Sequence, residues 1–186
     1  MTLLLTCFEP FGGETVNASA EAARLLQERI GPWTLIKRQL PVVFGAAGDR
    51  CLELIQETRP QAVLLLGQAA GRTALTPELT ARNWRWARIP DNAGRAPKGE
   101  PVLPGGEDAR FAGLPVEAMV QAIRAAGYPA ALSCSAGYYV CNDLYYTVLA
   151  RAHQIPAAFL HVPASGTLAP EITAKAIEAT IPAIPL

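Results

Sequence analysis

Residues 3–31 read LLLTCFEPFGGETVNASAEAARLLQERIG, and the succession of patterns in this stretch decides the fold. Leu3 to Cys7 is a short, almost wholly apolar run, the kind of strand that is buried on both faces of a sheet. It empties into a turn-rich loop, Glu9 to Thr15, where Pro10, Gly12 and Gly13 interrupt any regular period. A helix is predicted from Ala18 to Arg29, with Asn17 or Ser19 as its cap and Gly31 as its stop. A buried strand feeding a helix is the opening of an α/β fold.

The alternation continues outward from this unit. Thr34 to Leu40, Ala62 to Leu66, Ala130 to Cys134 and Ala157 to Val162 have strand length and composition. Helices are expected over Ala46 to Glu57, Val116 to Ala126, a segment ending near His153, and Pro170 to Thr180. The pattern predicts an α/β/α sandwich around a mostly parallel sheet, in one domain spanning residues 1–186. Between Gly67 and Pro115 it breaks into Gly, Pro and Arg, with one irregular strand from Leu79 to Ile89. An excursion of that length is uncommon inside a domain unless it builds a site.

Composition excludes several classes of function. The 186 residues carry 16 basic and 16 acidic side chains, with 51% hydrophobic and only 17% charged, so the chain is not a disordered one. No basic cluster is present to hold a nucleic-acid backbone. Zero net charge leaves self-repulsion weak, and a homo-oligomer is expected. No apolar run approaches the ~20 residues that a membrane helix needs. The N-terminus lacks a basic leader region and turns at Pro10 and Gly12, so it reads as a strand and not as a signal peptide. Cys7, Cys51, Cys134 and Cys141 form no CxxC pair and have no histidine at metal-ligand spacing. Free thiols, a cytosolic setting and no metal or cofactor are the expectation.

In sheets of this kind ligands gather at the carboxyl ends of the strands. Those ends are Phe8 to Gly13, Gly67-Gln68, Ser133-Cys134-Ser135 and His161-Val162-Pro163. A thiol and an imidazole there suggest a nucleophile and its base. His161 stands where a buried strand emerges, whereas His153 near a helix end needs no further role. Packing explains Cys7, Cys51 and Cys134. Cys141 depends on where its helix starts: capped at Ser135, the thiol lies inside the helix and is inert; started at Cys141, it meets the positive helix end. Glu78, Asp91 and Asp108 are candidates for an acid that orients the imidazole, and pattern does not choose among them, although Asp108 follows a Gly-Gly-Glu turn that favours a solvated carboxylate. Phe8 and Phe11 either cap the core or form the walls of a small apolar pocket. Gly12-Gly13 belongs to neither of the common phosphate-binding patterns.

Six segments, in order along the chain, resemble the pyroglutamyl peptidase I family of cysteine exopeptidases. They are Thr6 to Asn17; Leu66 to Arg72; Thr76-Pro77-Glu78 with Asn83; Ala87 to Asn92; Ser135 to Asn142; and His161-Val162-Pro163. The resemblance implies a Cys-His-Glu triad at Cys141, His161 and Glu78, with Phe8 and Phe11 sandwiching a pyroglutamyl ring. It also implies Gln68 near that ring and Arg88 close to the reacting centre. Peptides with an N-terminal pyroglutamyl residue are the implied substrates, and family members are usually cytosolic and metal-free. A divergent thiol amidase and a binding module without turnover are the rival readings. The chain departs from the family pattern at Cys7 (usually Gly), Leu79 (usually Arg), Arg82 (usually apolar) and Trp86 (commonly Asp).

Overall fold

Strands buried on both faces are apolar at nearly every position, and three such strands lie side by side within a six-stranded sheet. The computed structural model describes residues 1–185. In chain order the elements are β1 (Thr2–Phe8), α1 (Ala18–Leu25), β2 (Arg29–Ile30), β3 (Trp33–Leu40), α2 (Ala46–Thr58) and β4 (Ala62–Gln68). The short strands β5 (Thr76–Glu78), β6 (Thr80–Arg82), β7 (Arg85–Trp86), β8 (Lys98–Glu100) and β9 (Ala109–Phe111) follow. The chain then forms α3 (Val116–Ala125), α4 (Val140–Arg151), β10 (Ala157–Val162) and α5 (Pro170–Thr180).

The sheet order is β2-β3-β1-β4-β10-β5. β3, β1, β4 and β10 run parallel, and the edge strands β2 and β5 are antiparallel to their neighbours. Side-chain alternation then sends each strand's apolar residues to two separate cores. Leu3, Leu5, Leu64, Leu66 and Leu160 face α1, α3 and α5. Leu4, Val63, Leu65 and Phe159 face α2 and α4. Each buried leucine contributes about 1.5–3 kcal/mol, so these layers are what holds the sandwich together. The expected α/β/α arrangement with a mostly parallel sheet is observed.

Several boundaries differ from expectation, each for a physical reason. α1 stops at Leu25 because Leu26 is extended (φ −63°, ψ 144°). Arg29 and Ile30 instead pair with β3 across a turn at Gly31, whose φ of 55° suits glycine. Residues 130–134 are not a strand; they make only isolated bridges, Ala130 with Leu75 and Ser133 with Glu78. The stretch read as one irregular strand from Leu79 to Ile89 is divided between β6 and β7, each pairing in its own two-stranded ribbon.

Candidate active site

The site begins with the alternation of β10. Phe159 and His161 point to the α4 side of the sheet, and β5 pairs Glu78 with Phe159, so the carboxylate reaches the imidazole diagonally. His161 Nδ1 lies 2.7 Å from Glu78 Oε1, with the two residues only 4% and 0% exposed. A carboxylate on Nδ1 fixes the proton there and leaves Nε2 as the basic nitrogen. Arg72 donates from Nη1 to the same Glu78 oxygen at 2.5 Å and to the Thr76 hydroxyl, and from Nη2 to the Ser135 carbonyl at 3.4 Å. Glu78 Oε2 is buried with no partner among the described residues.

Cys141 is the second residue of α4, which Tyr139 caps and Val140 begins. The thiol therefore meets the first turn, where backbone N–H groups have no partner within the helix. Of the two alternatives open in the sequence, the late start is the one adopted. Its sulfur packs against β4: a Cβ built on Gly67 would stand 3.0 Å from Cys141 Sγ. Gly67 is the residue paired with His161, so thiol and imidazole share one face of the sheet at one register position.

The two residues after the cysteine lock this helix start in place. Asn142 Oδ1 accepts from Arg82 N at 2.8 Å, and its Nδ2 donates to the Arg82 and Trp84 carbonyls. Asp143 accepts from Gly45 N at 2.7 Å and from Arg85 Nε. Burial raises the Asp143 carboxyl, while the Gly45 amide and the Arg85 guanidinium pull it back down.

Burial, then the Glu78 charge, pushes the Cys141 thiol up to about 12, opposed by Arg72 and the backbone amide. Burial lowers His161, against the hydrogen bond and charge of Glu78, which raise it. Both directions favour a neutral thiol beside a neutral imidazole in the resting site. Such a pair attacks by general-base transfer of the thiol proton to Nε2.

Beside the sulfur is an inner cavity of about 10 Å³, walled by Phe8, Phe11, Val42, Gln68, Tyr139 and Val140 as well as Cys141. Gln68 spends its carbonyl on Ala18 N at 2.7 Å, which turns its NH2 group into the available donor. The cavity holds roughly one water, so a ring enters only if a wall moves. Phe11 is the wall on the Gly12-Gly13 loop, where φ is 65° and 85°, and it is half-buried. A separate cavity of about 490 Å³ beside Cys7 has no histidine or acid in its lining. Burial pushes the Cys7 thiol itself up to about 11.

The fold thus brings Glu78 against His161, sets Cys141 on the same sheet face, and places Phe8, Phe11 and Gln68 around the cavity beside the sulfur. Phe8 satisfies both of its readings, since it packs in the core and walls the cavity. Arg88 does not join them: it is exposed and lines an adjoining outer cavity. Cys134 is exposed, which corrects its reading as a packed thiol, whereas Cys7 and Cys51 are buried. Asp91 is a loop staple, accepting from the amides of Phe44, Ala93 and Arg95. Sequence reasoning missed Arg72, Tyr139, Asn142 and Asp143. Two adjacent polar residues in a helix buried nearly all round were the available signal for the last pair. Among the described residues no helix is long and apolar enough to cross a membrane, and no cluster of His, Cys, Asp and Glu has metal-binding geometry.

Comparison with known proteins gives one answer. The family model described as pyroglutamyl peptidase matches residues 1–186. The chain is 48% identical to a pyrrolidone-carboxylate peptidase of Thermococcus onnurineus over 167 residues, covering 88% of this chain and 84% of that one. It is 47% identical to that of Levilactobacillus brevis, over 88% and 82% of the two chains. Among solved structures, pyroglutamyl peptidase I of Bacillus amyloliquefaciens aligns with a TM-score of 0.90 at 38% identity, over 96% of this chain and 94% of that one. The pyrrolidone carboxyl peptidase of Thermus thermophilus aligns equally well, with a TM-score of 0.90 at 38% identity over 96% and 98%. Agreement in sequence and backbone over nearly the entire length means that this chain belongs to the pyroglutamyl peptidase family of cysteine peptidases.

Proposed function

We propose that the protein hydrolyses the bond after an N-terminal pyroglutamyl residue of peptides, with Cys141 as nucleophile, His161 as base and acid, and Glu78 as the group that orients the imidazole. The observation that carries this reading is the 2.7 Å His161–Glu78 contact on the same sheet face as a cysteine in the first turn of α4, beside a neutral pocket. Pyroglutamate is an uncharged lactam without a free α-amine, and a pocket of two phenyl rings and one amide NH2 matches that chemistry. Phe11 swings outward to admit the ring, and Gln68 Nε2 donates to the lactam carbonyl.

As the sulfur attacks the acyl carbon, the thiol proton passes to His161 Nε2, and the imidazolium forms against Glu78. The unpaired first-turn amides of α4 stabilise the oxyanion. Collapse breaks the C–N bond, and His161 returns the proton to the leaving amine, so that the free peptide departs from a thioester. Water then attacks the thioester with its proton taken by His161, releasing pyroglutamate and restoring the thiol. Arg72 is a positioning residue, donating to the same Glu78 oxygen that meets His161 and so holding that oxygen against the imidazole.

A fluorogenic pyroglutamyl amide tests this directly. It is cleaved, the prolyl amide is not, and Cys141→Ala abolishes turnover while Cys134→Ser retains it. Equal cleavage of both amides refutes the pocket, and an active Cys141→Ala variant refutes the nucleophile. The reading also includes a cytosolic setting, supported by four free thiols of which Cys134 is exposed. It further includes a homo-oligomer, supported by an exposed Phe111 and zero net charge.

A further inference from the structure

Beyond Phe11 and Tyr139 lies an outer cavity of about 350 Å³, completed by Trp86, Arg88, Ile89 and Tyr138. It shares the Phe11 and Tyr139 walls with the inner cavity that holds Cys141, so the two are neighbours across a pair of rings. Trp86, Ile89 and Tyr138 are 42%, 45% and 45% exposed, an unusual concentration of large apolar surface in one depression.

Apart from Phe11, the aromatic walls are held before any ligand arrives. The Tyr139 hydroxyl donates to the Pro90 carbonyl at 3.0 Å, and its ring meets Phe44 edge-on at 5.3 Å. Trp86 N donates to the Tyr138 carbonyl at 3.0 Å, tying the two outer walls through their backbones. Lys98 Nζ sits 5.4 Å from the centre of the Trp86 ring and also donates to the Ala87 carbonyl at 2.7 Å. Lys98 is not part of the lining, so it braces the indole without entering the cavity. Rigid aromatic walls lose little side-chain entropy on binding, which makes them efficient anchors.

We infer that this outer cavity is the subsite for the side chain of the residue that follows the pyroglutamyl group, shaped for an aromatic or large aliphatic one. The inference rests on the peptidase reading above. With the ring between Phe8 and Phe11 and the acyl carbon at Cys141, the next residue lies across the walls that the cavities share. Arg88 is the only charged group in the lining, and among the described residues it forms no hydrogen bond or ion pair. It therefore disfavours lysine or arginine at this position and remains free to hold a carbonyl or carboxylate of the departing peptide.

The test is kcat/KM on pyroglutamyl-X-amides with X as Phe, Leu, Ala and Lys. The Phe peptide exceeds the Ala peptide by about tenfold, as burial of a side chain in a partly open apolar cleft gives. In Trp86→Ala and Tyr138→Ala that ratio falls below about threefold. A wild-type ratio near one, or a ratio that neither variant changes, overturns the subsite. Turnover of no pyroglutamyl peptide at all refutes the peptidase reading instead. The subsite is then judged on Cys141→Ser by the Kd ratio of the Phe and Ala amides, where a value near one overturns it. If a second copy of the chain fills the cavity, Trp86→Ala changes the mass in light scattering while the Phe/Ala ratio stays near one, which also overturns it.

Discussion

Replacing Gly67 with alanine puts one methyl group at the point where β4, α4 and β10 meet. The new Cβ stands 2.7 Å from Phe159 Cζ, 3.0 Å from Phe159 Cε1 and 3.0 Å from Cys141 Sγ, against an ordinary contact of 3.4–4 Å. Relief therefore requires Phe159 to retreat by about 0.7 Å and the sulfur by about 0.4 Å. Neither can retreat freely. Phe159 is fully buried between Tyr145 and His161, with ring centres 5.7 and 4.7 Å away, so its movement also pushes the imidazole. Overpacking of this kind costs about 1–3 kcal/mol. A misplacement of ~1 Å at reacting groups costs about a hundredfold in rate, so shifts of this size should lower kcat roughly 10- to 100-fold. The assay is kcat on the pyroglutamyl amide together with urea unfolding. Gly48→Ala is the control, because its Cβ would meet Thr147 Cγ2 at 2.8 Å between α2 and α4, away from the catalytic groups. It should lose comparable stability and keep kcat within about threefold. A Gly67→Ala enzyme with wild-type kcat, or a Gly48→Ala enzyme equally slowed, would refute the argument that Gly67 seats the nucleophile.

Two further predictions concern proton positions. Arg72→Met leaves the Glu78 carboxylate buried with His161 as its remaining side-chain partner. Because Arg72 holds the His161 pKa down, the acid limb of the kcat/KM profile should move to higher pH. Stability should fall by about 2 kcal/mol, less than a fully buried pair because the Arg72 side chain is 27% exposed. Arg72→Lys should recover part of both effects, and an unmoved acid limb in Arg72→Met removes Arg72 from the positioning role. Iodoacetamide labelling of Cys141, in a Cys134→Ser background, tests the resting thiol. A thiol pushed up to about 12 is protonated at neutral pH, so labelling should be slow at pH 7 and still rising through pH 9. A rate flat from pH 6 to 8 would instead mean a preformed thiolate–imidazolium pair.

Much of the architecture is legible along the chain because its causes are local or periodic. Leu3 to Cys7 and Ala157 to Val162 read as buried strands since both of their faces meet apolar layers, which leaves a single polar position in each, Thr6 and His161. The emergence of His161 from such a strand, and a cysteine followed by Asn142 and Asp143, were likewise visible in order. Other features are decided by partners far away in sequence. Glu78 acts with His161 across 83 residues, and nothing near Glu78 distinguishes it from Asp91 or Asp108 until β5 pairs antiparallel with β10. Asp91 has the same acidic side chain but spends it on three loop amides. Where α4 begins is set by Arg82, Trp84 and Gly45, which Asn142 and Asp143 bind, and that start determines whether Cys141 meets free amides or a closed helix interior. The layers and the chemical groups follow from the chain alone, because burial and periodicity are written in neighbouring residues. Which acid, which thiol environment and which arginine come together is settled by long-range packing, because hydrogen bonds and desolvation depend on what the fold brings into contact.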